Sequence, residues 1–73
     1  MSHVQAVILH KLYFNKREAE SWVRRHWYKP IKKVHETVNY YRFRIRVPNE
    51  DLYEYRIIKL TDGGKAVVGF RRF

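Results

Sequence analysis

Cysteine is absent from this 73-residue chain, which excludes disulfide bonds and thiolate metal sites. Glycine and proline are scarce, with three and two residues, and the sequence contains no linker or repeat. No apolar run approaches the roughly 18–20 residues of a membrane-spanning helix, and the first residues lack the order of a signal peptide. We therefore expect one intracellular domain over residues 1–73 that does not bind membranes.

Acidic residues are also few: seven Asp and Glu face sixteen Lys and Arg, which leaves a net charge of +9. The surplus is concentrated in residues 21–47, where Glu36 is the one acid among eight basic residues. Such a charge favours an anionic partner.

Aromatic side chains, by contrast, are abundant, with four Phe, six Tyr and two Trp. They supply enough apolar surface for a small autonomous core, and they distinguish the chain from a disordered basic tail.

Residues 39–47 alternate with the two-residue period of a β-strand. One side is apolar, with Tyr41, Phe43, Ile45 and Val47, and the other carries Arg42, Arg44 and Arg46. The apolar side is expected to face a core. The arginine side is either a solvated surface or a surface that tracks phosphate groups.

A helix is predicted to begin after Asn15, because Asn15 and Glu18 have the spacing of a capping box. It is predicted to end at Lys29-Pro30, since proline cannot continue the hydrogen-bond ladder. Trp22 is the expected anchor of its apolar stripe, which comprises Ala19, Trp22, Val23 and His26. We interpret Trp27 and Tyr28, at the helix exit, as covering the end of the core, with stacking on bases as the alternative.

Further strands are predicted at residues 3–10, which should be buried on both faces, and at residues 31–38, 55–60 and 65–70. A helical turn is expected at residues 51–54, and Asp62-Gly63-Gly64 is typical of a hairpin turn. The fold class is therefore α+β: a single two-layer domain with one helix packed on a mostly antiparallel sheet of four or five strands. The arginine row would occupy the sheet face left open to water.

Several segments resemble short uncharacterised proteins of large double-stranded DNA viruses and phages. They are Ala19-x-x-Trp22-Val23-x-x-His26, Tyr28-Lys29-Pro30, the stretch from Glu36 to Arg44, and Gly63-Gly64 before Val67-Val68-Gly69-Phe70. The resemblance implies a small viral domain in a DNA-associated setting, located in a host cell or a virion. It implies no catalytic residues.

Catalytic patterns are lacking. No pair of the four histidines (His3, His10, His26 and His35) has metal-ligand spacing, and His35 and Glu36 would point to opposite faces of a strand. Gly63-Gly64 lacks the ending of a phosphate loop. We therefore expect no enzyme activity, no catalytic residue, no metal and no cofactor.

Two functions remain. The first is sequence-independent nucleic-acid binding, with DNA preferred over RNA, by a monomer or homodimer. The alternative is an interaction or structural protein that binds an acidic protein through the same patch. The candidate site residues are Arg24, Arg25, Lys29, Lys32, Lys33, Tyr40, Arg42, Arg44 and Arg46.

Overall fold

A computed structural model describes residues 2–60 and 63–72. Their five strands form one antiparallel sheet in the order β2-β3-β1-β5-β4. The predicted α+β class and the antiparallel sheet are confirmed, and the sheet is the larger part of the fold. The elements are β1 (Ser2–His10), α1 (Lys16–Arg25), β2 (His35–Glu36), β3 (Tyr40–Arg44), β4 (Tyr53–Lys59) and β5 (Gly64–Arg71).

β1 is the central strand, and Ala6, Val7 and Leu9 are completely buried. Its prediction as a strand buried on both faces is confirmed. The pairing of β1 with β5 shifts register between Val4 and Ala6, which leaves Gln5 as a bulge residue.

Gln5 is a buried polar residue that the sequence pattern did not reveal. Its carbonyl oxygen accepts hydrogen bonds from the backbone N–H groups of Ile45 and Arg46, at 2.8 and 3.0 Å. Its side-chain amide donates to the Arg46 carbonyl at 2.9 Å. The bulge therefore holds the chain that leaves β3.

The capping box of α1 is confirmed: the Asn15 side chain accepts from the Glu18 N–H, and the Glu18 carboxylate accepts from the Asn15 N–H. The predicted end of the helix at Lys29-Pro30 is wrong. α1 ends at Arg25, because the backbone of Trp27 adopts a left-handed conformation with φ of 65° that turns the chain before proline is reached.

Residues of α1 and of the sheet share one hydrophobic cluster. Trp22 is only 6% exposed, and its ring stacks on His26 and Tyr28 with centroid distances of 3.8 and 6.3 Å. Tyr28 therefore covers the cluster, as expected. The same interpretation of Trp27 is wrong, because its side chain is 90% exposed. The cluster, called the core cluster below, comprises Val7, Leu9, Ala19, Trp22, Val23, Tyr41 and Phe43.

Two predicted strands are shorter in the structure. β3 ends at Arg44, because the next two N–H groups both bond to the single carbonyl of Gln5 and the regular ladder stops. Val47, expected on the core side, is exposed. β2 contains only His35–Glu36, since Ile31 bonds to Arg44 outside the β2–β3 register.

The β4–β5 pair also departs from prediction. A turn in which the Tyr53 N–H donates to the Asn49 carbonyl starts β4 at Tyr53, two residues earlier than expected. The return to β5 passes through Gly63, whose φ of 89° fits the predicted turn, whereas Asp62 lies outside the described residues.

Candidate nucleic-acid interface

Strand pairing assigns each side chain of the sheet to one of two sides, because residues directly opposite on antiparallel strands point the same way. Tyr41 and Phe43 point to the core cluster. Arg42 and Arg44 alternate with them, and pair with Ile8 and Ala6 of β1. We call the side opposite the core cluster the outer face.

The outer face carries basic residues from every strand and no carboxylate from the five described strands. The two acids within those strands, Glu36 and Glu54, pair with Tyr41 and Phe70 on the cluster side. The basic or titratable residues of the outer face are His3, His10, His35, Arg42, Arg44, Lys59, Lys65 and Arg71. Alternation therefore keeps both strand acids off the outer face, while Arg56 of β4 lies with Glu54 on the cluster side.

The densest positive charge surrounds a hollow of about 370 Å³ at the β2–β3 edge of this face. We call it the basic pocket. Two contacts assemble it: His35 lies opposite Arg42 in the β2–β3 pairing, and the Ile31 N–H donates to the Arg44 carbonyl at 2.9 Å. The second contact brings the preceding loop to the end of β3. The pocket is lined by Lys32, Lys33, His35, Arg42 and Arg44.

No anionic side chain among the described residues neutralises the basic pocket. The Arg42 Nε is buried and has no hydrogen-bond partner there. The nearest acid in sequence, Glu36, instead pairs with the Lys11 Nζ at 2.8 Å, and this hydrogen bond lowers the pKa of the Glu36 carboxyl. The lining of the pocket is therefore basic, with no acidic residue among the five side chains.

Tyr40 lies on the outer face beside a second hollow. Its ring meets the His10 ring edge-on, with the two ring centroids 4.7 Å apart, and the Lys65 Nζ lies 5.4 Å from the centroid of the Tyr40 ring. The sequence interpretation missed Lys65 and His35. Their pairings with Ile8 and Arg42 place them on this face, and no local sequence signal specifies those pairings.

Arg46 lies beyond the end of β3, held by Gln5 and exposed. Its charge affects the His3 imidazole. Burial lowers the pKa of this imidazole, and the positive charge of Arg46 lowers the pKa further. Arg46 does not line the basic pocket.

The remaining predicted site residues lie outside the basic pocket. Arg24 and Arg25 are exposed in the last turn of α1, and Arg24 lines a shallow hollow with Pro30 and Phe43. Lys29 is exposed in the segment that leads from the helix to the pocket. The structure therefore brings together four of the nine candidates, Lys32, Lys33, Arg42 and Arg44.

Comparison with known proteins gave no match to a protein family, to a curated protein or to a solved structure. The resemblance to viral proteins stays a prediction. No helix within residues 2–60 and 63–72 is long and apolar enough to cross a membrane.

Proposed function

We propose that this protein is a nucleic-acid-binding accessory protein that contacts phosphate groups through its outer face, with DNA as the preferred ligand. The observation that carries the proposal is the basic pocket, whose five lining residues include no acid. Arginine guanidinium groups match phosphate oxygens with paired hydrogen bonds, and lysines add point charges. The protein would act by binding and not by catalysis.

The proposal treats α1 as a layer over the cluster side of the sheet, which leaves the outer face available to a ligand. It is supported by the core cluster that α1 shares with β1 and β3. Antiparallel sheets commonly keep one face in contact with water.

Phosphate contacts carry no sequence information, so binding is expected to be largely independent of sequence. Each phosphate contact releases condensed counterions, and the affinity should therefore fall steeply with salt. A purely solvated basic face would show no saturable binding at low salt.

The test is fluorescence anisotropy with labelled duplex DNA, single-stranded DNA and RNA over a range of salt. In the double variant Arg42→Gln/Arg44→Gln, the slope of log affinity against log salt should be shallower by about 1.4 to 1.8, since each lost contact removes about 0.7 to 0.9. The control Lys16→Gln/Arg17→Gln removes the same charge from exposed positions at the start of α1 and should change the slope less.

Two results would contradict the proposal. Equal effects of the two double variants would mean that net charge alone drives binding. A parent protein that binds no nucleic acid at low salt would make an acidic protein surface the leading candidate partner.

A further inference from the structure

Trp27 occupies a backbone position that normally selects glycine. Its N–H donates to the Arg24 carbonyl at 3.0 Å, and the Tyr28 N–H donates to the Val23 carbonyl at 3.2 Å. These two bonds, with a φ of 65° at Trp27, form a Schellman motif that closes α1. The left-handed conformation is unfavourable for a side chain with a Cβ atom, and most of all for a bulky one.

The indole of Trp27 gains no burial in exchange for this strain. It is 90% exposed, and it takes part in none of the ring contacts within the described residues. Trp22, His26 and Tyr28 form the neighbouring stack without it. A large apolar side chain held in water by a strained backbone is therefore not explained by the stability of the fold.

The surroundings of Trp27 are cationic. Arg24 and Arg25 precede it and Lys29 follows it, all exposed, and residues 21–35 contain no acid. An exposed aromatic ring among cations is the arrangement with which proteins bind single-stranded nucleic acid, because the ring stacks on a base while the cations bind phosphates. In a duplex the faces of the bases are already stacked on each other.

We propose that Trp27 stacks on an unpaired base and gives the protein a preference for single strands over duplexes. This inference rests on the proposed nucleic-acid function. Lys32 of the basic pocket is five positions after Trp27 in the chain, and a stretch of that length spans at most roughly 18 Å. One single strand can therefore contact both, with its phosphates in the pocket and a base on the indole.

The decisive variant is Trp27→Gly, which suits the left-handed backbone. We expect its melting temperature to equal or exceed that of the parent, while its affinity for a single-stranded oligonucleotide falls about tenfold, within the range found for losing one stacked base. Its affinity for a duplex should change less than twofold. Leu12→Ala, which truncates another exposed apolar side chain, is the matched control and should leave both affinities unchanged.

Intrinsic fluorescence gives an independent measurement, because Trp22 is buried and Trp27 is the exposed one of the two tryptophans. Single-stranded oligonucleotides should quench the tryptophan fluorescence of the parent protein, and this quenching should be absent from Trp27→Gly. If the parent binds nucleic acid with the expected salt slope and Trp27→Gly keeps its single-strand affinity, the inference fails while the proposed function stands.

If the parent binds no nucleic acid, both proposals fail together. A third result would also overturn the role of Trp27. If the fluorescence of Trp27 responds to vesicles of anionic lipid but not to oligonucleotides, the indole contacts a membrane surface instead of a base.

Discussion

Replacing Trp22 with alanine should remove a large part of the folding free energy of this protein. Its side chain is only 6% exposed and belongs to the core cluster, which also includes Val23 of its own helix, Leu9 of β1 and Phe43 of β3. Removing a buried tryptophan typically costs about 3 to 5 kcal/mol. A folded chain of this size has roughly 4 to 11 kcal/mol in total, at 0.05 to 0.15 kcal/mol per residue.

The cost at Trp22 is expected in the upper part of that range, because its ring also stacks on His26 and Tyr28 and the truncation would leave both rings without their partner. The assay is urea unfolding followed by circular dichroism, with Trp27→Ala as the control. The control removes an equal volume from an exposed site and should lower the midpoint far less. Overlapping unfolding curves for the parent and Trp22→Ala would refute the assignment of Trp22 as the anchor of the core.

Three further outcomes can be checked by thermal or urea unfolding. Gln5→Leu should destabilise the fold by about 1 to 3 kcal/mol, since its amide no longer pairs with the Arg46 carbonyl; an unchanged midpoint would show that the bulge does not depend on this side chain. Asn15→Ala should cost about 0.5 to 2 kcal/mol through loss of the helix cap, which restoring a cap with Asn15→Ser should largely reverse. Burial, and to a smaller extent the charge of Arg46, lower the pKa of His3 below 6.5. The neutral imidazole therefore contributes its full stability above pH 6.5, and this contribution is lost as the pH falls through the pKa of His3 in the folded state. The melting temperature of the parent should therefore decline more below pH 6.5 than that of His3→Gln, and parallel profiles would contradict this.

Local chemistry allowed several features to be predicted from the sequence. The Asn15–Glu18 capping box depends on groups three residues apart, and the burial of Ala19, Trp22 and Val23 follows from helical periodicity, although His26 of the predicted stripe is exposed. The alternation that separates Arg42 and Arg44 from Tyr41 and Phe43 is a property of any extended strand. These predictions were confirmed because each rests on interactions within a few residues.

The ends of elements were predicted less well. Pro30 was taken as the end of α1, yet a Schellman motif ends the helix earlier on a tryptophan that sequence preferences would not place there. Likewise, β3 stops at Arg44 because the distant residue Gln5 captures two successive N–H groups. Both outcomes depend on backbone hydrogen bonds that residue type does not specify.

The sequence by itself determined the charge of this protein, the class of its fold and which side of the β3 strand is basic. Only the tertiary structure decided which of the basic residues meet. The β2–β3 pairing sets His35 beside Arg42, and one hydrogen bond from Ile31 brings Lys32 and Lys33 to Arg44, whereas Arg24 and Arg25 stay on the helix. The exposure of Trp27 belongs to the same category, since it follows from a left-handed turn and not from the hydrophobicity of the residue. The physical reason is that strand register and chain reversal bring together residues distant in sequence, whereas composition and periodicity describe only neighbours.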